Sequence, residues 1–158
     1  MKQVFLGLGT NLGDREEQIR LAVHHLNARA IHVSRLSPIY ETEPEGFLDQ
    51  GLFLNAVAEA QTMLAPRELL TAIKQIEVAM KRIGTQRNGP RIIDIDILFY
   101  ENEVIHEPGL EIPHPRLRER RFVLAPLADI APGWIDPVSN STVAELLERA
   151  KHSHYRRL

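Results

Sequence analysis

Cysteine is absent from this chain, which excludes disulfides, thiolate metal sites and a cysteine nucleophile together. Such a composition suits a reducing compartment, and a cytoplasmic location is expected. No apolar run approaches the roughly 20 residues that a membrane span needs. The apolar start, Val4 to Leu8, stops at Thr10-Asn11, too short for a secretory core, so no membrane partner is expected. Excess charge of one sign is missing too: 19 basic and 21 acidic side chains leave a net −2. A general nucleic-acid binder carries a marked basic surplus, so nucleic acid is not expected as a partner. Repeats and low-complexity tracts are also lacking. The 158 residues read as one domain over 1–158, able to bury roughly 70% of the unfolded surface without a staple.

What is present is a regular alternation of elements. Val4 to Leu8 has the make-up of a buried strand. Ile19, Val23 and Leu26 recur at helical spacing behind Asp14, a candidate N-cap. Strands are predicted over Ile31 to Tyr40 and Phe53 to Thr62. Pro66 then opens a helix whose stripe is Leu69, Ile73, Ile76, Met80 and Ile83. Ile92 to Tyr100 is the strongest strand signal: Ile93, Ile95, Ile97 and Phe99 fall on one face, Asp94 and Asp96 on the other. A short strand at Val104-Ile105 follows, then helices over Phe122 to Ile130 and Thr142 to Ala150. The order strand, helix, strand, strand, helix, strand is that of an α+β, ferredoxin-like sandwich with C-terminal additions. Helices are expected on one side of its antiparallel sheet, leaving the other side for a ligand unless the later elements cover it.

The chemistry concentrates in two places. Asp94 and Asp96, two apart on a strand, point the same way with Cα atoms about 6.6 Å apart. They can converge on a hard cation such as Mg²⁺, or they can line a solvated strand face. Their isoleucine neighbours make unpartnered charge costly there. Arg82, Arg87 and Arg91 crowd the segment just before them. Guanidinium forks match phosphate oxygens, and phosphoryl transfer is mainly positioning and charge neutralisation; the plainer alternative is a helix ion pair and solvent. His114 lies between two prolines, aimed either at a ligand or at a structural hydrogen bond. Asn55, inside an apolar strand, offers a donor and an acceptor to a flat heterocycle or to the sheet itself. Gly7-Leu8-Gly9-Thr10-Asn11-Leu12-Gly13 fails both familiar nucleotide-loop patterns and reads as a tight strand-to-helix turn. A ferredoxin-like RNA-binding module would need a basic, aromatic sheet face, where this chain has two aspartates.

Taken in order, these pieces resemble the 6-hydroxymethyl-7,8-dihydropterin pyrophosphokinases of folate biosynthesis. The central match is Arg87-Asn88-Gly89-Pro90-Arg91-Ile92-Ile93-Asp94-Ile95-Asp96-Ile97-Leu98, supported by Gly7 to Gly13, Ser37 to Thr42, Phe53 to Ala56, Glu77 with Arg82, Pro113 to Pro115 and Arg120 to Phe122. The resemblance implies ATP as co-substrate, two Mg²⁺ ions on Asp94 and Asp96, and Arg82 and Arg91 over the phosphates. Glu77, Ile97, His114 and Arg120 would line the nucleotide site. Thr42, Glu43, Glu45, Phe53, Asn55 and Phe122 would hold the pterin. A monomer is expected. Asn88 stands where the family often has tryptophan, and Gly84 where it often has a basic residue.

Overall fold

Side chains that alternate along a strand need a separate neighbour for each face. In the computed structural model, which describes residues 1–10, 15–42, 53–82, 93–150 and 155–157, both neighbours are present. Strand β1 (Lys2–Thr10) runs antiparallel between β4 (Phe53–Thr62) and β5 (Asp94–Tyr100). The far edge of β4 is shared by β2 (Ile31–Leu36) and β3 (Tyr40–Thr42). Helix α1 (Arg15–Ala28) carries the chain from β1 to β2, across β4, and α2 (Pro66–Arg82) carries it from β4 to β5, across β1. These two interleaved β-α-β units make the ferredoxin-like sandwich that the element order predicts.

The first core lies under α1 and α2. Val4, Leu6 and Leu8 of β1 and Ile93, Ile95 and Ile97 meet Ile19 and Leu26 of α1 and Leu69, Ile73, Ile76 and Met80 of α2. The predicted stripe of α2 is therefore its buried face; Ile83, its last expected member, lies outside the described residues. Among the described residues, no helix is long and apolar enough to cross a membrane.

The later elements cover part of the other face, the alternative that the element order left open. A 3₁₀ turn (Leu117–Glu119), α3 (Arg121–Ile130) and α4 (Val143–Arg149) bring Leu117, Leu124, Leu127, Val143 and Leu146 onto Phe5, Val57, Leu98 and Phe99. Phe5 is the wedge of this second core, edge-on to Phe99 at 6.3 Å and to Trp134 at 4.8 Å. Helix α4 starts with a capping box: Thr142 Oγ1 accepts the Glu145 N–H, and the Glu145 carboxylate accepts the Thr142 N–H.

Phe99 does not share the isoleucine face. Phe5 pairs with Phe99 while Leu6 pairs with Ile97, so Leu98 is an extra residue, a β-bulge. Period two holds only while residues match one to one across the ladder. Past the bulge the faces exchange: Phe99 joins Phe5, and Tyr100 enters the helix-side core.

The predicted strand Ile31 to Tyr40 is two strands, broken at Ser37-Pro38. Pro38 has no N–H for the ladder, and Ser37 repairs the gap. Its N–H donates to the Val57 carbonyl at 2.9 Å, while its Oγ accepts the Val57 N–H at 2.8 Å and donates to the Pro38 carbonyl at 2.8 Å. Ser37→Ala leaves a buried N–H unsatisfied and is expected to cost about 1–3 kcal/mol in urea unfolding. An unchanged midpoint would show that the hydroxyl bridge carries no stability. Two further elements escape the sequence patterns. The short strand expected at Val104-Ile105 is a hairpin of β6 (Ile105–Glu107) and β7 (Leu110–Ile112). Strand β8 (Tyr155–Arg157) pairs with β3.

Candidate active site

The second core stops short of one end of the sheet, and the space left is a cavity of about 350 Å³. Its floor is the upper half of β1. Gly7, Gly9 and Phe5 share the face that bears Asn55 and Val57 on β4 and Asp94 and Asp96 on β5. Gly9 is paired with Asn55 on one side and Asp94 on the other; Gly7 is paired with Val57 and Asp96. Both glycines are therefore strand residues: Gly7 lies inside the predicted strand Val4 to Leu8, and Gly9 extends it where the sequence pattern implies a tight turn. Glycine inside a strand weakens it and marks a place where something approaches the backbone closely. An alternation Phe5, Gly7, Gly9 on one strand face was the signal available for this floor.

The walls bring together eight of the side chains singled out in the sequence: Thr42, Phe53, Asn55, Asp94, Asp96, His114, Arg120 and Phe122. On the β4 side, the Asn55 amide donates to Thr42 Oγ1 at 3.0 Å. Thr42 is buried, so the amide is held in place with its oxygen directed over Gly9, where a Cβ would meet it at 3.2 Å. Phe53 and Phe122 add aromatic surface to the same cavity. Apolar lining that sequence reasoning missed comes from Leu98, Leu117 and Val123. Leu117 and Val123 lie far along the chain, and nothing in their spacing points to the sheet.

On the β5 side, Asp96 is half exposed. Glu77, on α2, is outside the cavity. Its carboxylate accepts the Ile95 N–H at 2.9 Å and lies 3.6 Å from Lys74 Nζ. It thus caps an edge donor of β5 midway between the two aspartates. Ile97 is buried in the helix-side core. Glu43, Glu45, Arg87 and Arg91, and the side chain of Arg82, lie outside the described residues.

The roof is the segment from His114 to Phe122. The His114 N–H donates to the Leu98 carbonyl at 3.1 Å, which ties this segment to the bulge of β5. His114 Nδ1 accepts the Arg116 N–H at 3.2 Å. A neutral ring therefore keeps its proton on Nε2, 3.9 Å from Asp96 Oδ2. Burial lowers the pKa of His114; the Asp96 charge opposes this, and Arg120 and Arg116 reinforce it. The net direction is down, which favours the neutral ring, with its Nε2–H towards the carboxylate. Arg120 lies over the Phe122 ring at 5.7 Å. Its Nε is buried without a hydrogen-bond partner among the described residues, an unsatisfied donor beside the cavity.

The donor chemistry fits a hard cation. Two carboxylates on one strand face open into a cavity whose floor beside them is Gly7 and Gly9, leaving room for phosphate oxygens and water as further ligands. Among the described residues, no group of three or more His, Cys, Asp or Glu could hold a metal by itself. A carboxylate pair needing oxygens from the substrate matches how Mg²⁺ is usually held.

Comparison with known proteins agrees with this geometry. Residues 5–132 match the family model described as 7,8-dihydro-6-hydroxymethylpterin-pyrophosphokinase (HPPK). A 2-amino-4-hydroxy-6-hydroxymethyldihydropteridine pyrophosphokinase of Methylorubrum extorquens is 42% identical, with 100% of this chain and 99% of that protein aligned. The protein of the same name from Bacillus subtilis is 48% identical over 80% of this chain and 76% of its own. The folic acid synthesis protein fol1 of Pneumocystis carinii is 41% identical over 92% of this chain, which spans only 20% of that longer protein. Among solved structures, wild-type HPPK-DHPS of Plasmodium falciparum superposes with a TM-score of 0.75 at 20% identity, covering 94% of this chain and 44% of that one; this likeness speaks for the fold. With the matched segment running from the β1 wedge through the sheet, the floor and the roof of the cavity, the chain belongs to the 7,8-dihydro-6-hydroxymethylpterin-pyrophosphokinase family.

Proposed function

We propose that this chain transfers pyrophosphate from ATP to the hydroxymethyl oxygen of 6-hydroxymethyl-7,8-dihydropterin and releases AMP, a step in folate biosynthesis. The observation that carries this reading is one cavity joining an amide and two aromatic rings at one end to two carboxylates at the other. A phosphotransferase acting on some other acceptor would share the carboxylates but would not need Asn55 and Phe122 beside them.

Each residue has a physical part in this reading. Phe53 and Phe122 stack on the flat pterin, while Asn55, braced by Thr42, reads its hydrogen-bonding edge. Asp94 and Asp96 would hold two Mg²⁺ ions, which when bound neutralise phosphate charge and align the displacement. The Arg120 guanidinium and His114 Nε2–H supply donors for phosphate oxygens. Glu77 fixes the β5 backbone that carries the carboxylates. Resemblance to the family is the support for placing Arg82 and Arg91 over the phosphates, Ile97 beside the nucleotide, and Glu43 and Glu45 beside the pterin. The same reading takes the chain as a single cytoplasmic domain over 1–158, working as a monomer with no nucleic-acid or membrane partner.

The test is direct. Purified protein with ATP, MgCl₂ and the hydroxymethyl dihydropterin should release AMP in step with pterin diphosphate, and chelation by EDTA should stop it. ADP as the product would mean attack at the wrong phosphorus. Folded protein that turns over no nucleotide would defeat the proposal.

A further inference from the structure

The floor of the cavity has one position where a single methyl group would matter. Asn55, Gly9 and Asp94 form a row across three adjacent strands, all on the cavity face. Strands stand about 4.8 Å apart, so the backbone of the amide residue and that of the carboxylate residue are roughly 10 Å apart, with Gly9 between them. A ligand gripped at Asn55 and reacting near Asp94 has to cross residue 9.

The backbone at Gly9 does not require glycine. It lies within β1, paired on both sides, and its φ is outside the left-handed region. What distinguishes it is space: a Cβ would stand 3.2 Å from Asn55 Oδ1 and 3.9 Å from the Leu54 carbonyl oxygen. Gly7, two residues earlier, would bring its Cβ only to ordinary contact with the flexible Leu98 side chain, at 3.4 Å. The tighter of the two glycines is therefore the one beside the amide that reads the acceptor.

We propose that Gly9 is a specificity-determining residue, whose bare backbone is the passage along which the alcohol arm of the acceptor reaches from Asn55 to the carboxylate pair. This inference rests on the pterin reading of the cavity and adds a residue to it. Only an acceptor that is flat above residue 9 then fits, with its hydroxyl on a short, unbranched arm.

Gly9→Ala separates the two ends of the cavity. A methyl group out of place in a pocket changes discrimination by roughly ten- to two-hundredfold. The variant should bind the hydroxymethyl dihydropterin at least about tenfold more weakly and show a matching rise in its KM, while ATP binding stays within about twofold. Alanine can take the extended backbone at residue 9, so the variant should fold, and a thermal melt recorded beside each binding measurement checks this. Pterin affinity within about twofold of the parent overturns the proposal, as does a parallel loss of ATP and pterin binding in a folded protein. If Gly9→Ala does not fold, Asn55→Ala removes the atom that the new methyl meets. The double variant Gly9→Ala/Asn55→Ala is then compared with Asn55→Ala alone. The double should bind pterin at least about tenfold more weakly still, and equal affinity overturns the proposal. Release of AMP by the parent protein is scored separately, so failure of the activity and failure of this residue's role are distinct results.

Discussion

Alanine at Asp94 or at Asp96 is expected to cut AMP release by at least about a thousandfold, with the fold retained. The magnitude follows from what the pair faces. A triphosphate carries several negative charges into a cavity whose β5 wall is itself acidic, and only cations bridging the two make that approach favourable. In the proposed reading the pair would hold Mg²⁺, and a single carboxylate would supply too few protein ligands for it; a loss of about 4 kcal/mol in transition-state stabilisation corresponds to a thousandfold in rate. At Asp96 stability should barely change, because its side chain is half exposed and surface substitutions stay within about 0.5 kcal/mol. Asp96→Asn keeps the size and removes the charge, and it should be nearly as inactive. The measurement is single-turnover AMP release at saturating MgCl₂, beside a thermal melt of each variant. A variant retaining a tenth of the parent rate would exclude the pair from the reaction.

The second large effect concerns stability, at Asp136. This carboxylate is fully buried in the connection between α3 and α4, where it accepts four hydrogen bonds. Two come from Arg118, at 2.6 Å and 2.8 Å, one from the Val138 N–H at 3.0 Å, and one from the Ser139 hydroxyl at 2.8 Å. Arg118 belongs to the 3₁₀ turn that lies between His114 and Arg120, so the pair fastens the roof of the cavity to the second core. Breaking a buried pair strands its partner's donors, and Asp136→Ala is expected to cost about 3 kcal/mol in urea unfolding. Replacing both partners by apolar residues of similar size should cost less than the single change. A single variant as stable as the parent would show that the roof does not need this tether.

Acid should mimic that substitution. Burial by itself pushes the Asp136 carboxyl up, but the bonds from Arg118, Val138 and Ser139 outweigh it and hold the group below its ordinary value. A carboxylate depressed in the folded state contributes stability that is present above its unfolded pKa and is lost as pH falls through the folded one. The contribution is therefore complete at neutral pH and disappears below the ordinary aspartate range of about 4. Parent and Asp136→Ala unfolding midpoints should converge as the pH falls through that range. A gap that stays constant into acid would mean the carboxylate's charge is not what stabilises the turn.

How much of this molecule could be read along the chain depended on the range of the interaction. The α2 stripe from Leu69 to Met80 and the two aspartates on one face of β5 follow from a repeat of 3.6 or 2 within a few residues, and both stand as expected. The same reasoning misplaced Phe99, because a bulge is set by the partner strand and is invisible in the strand that contains it. It also joined β2 to β3, since the hydroxyl that repairs the break at Ser37 bonds to Val57, twenty residues away. The stretch from Gly9 to Gly13 reads as a turn because glycine is a turn former when only neighbours in sequence are considered, although Gly9 continues the strand that holds Gly7. The pairing of these two glycines with β4 and β5 makes them a floor.

From its residues alone, this chain determined its order of elements, its family resemblance and the presence of a carboxylate pair beside arginines, because these are properties of short segments and of their succession. The tertiary structure alone decided that α3 and α4 close the lower part of the second sheet face and leave the upper part open. It also decided that His114 comes to Asp96, and that Asn55 faces Asp94 across a bare glycine. Those are contacts between segments 18 to 46 residues apart or more, and they depend on which strands become neighbours. Hydrophobic periodicity states which face of an element is buried; it carries no information about what buries it.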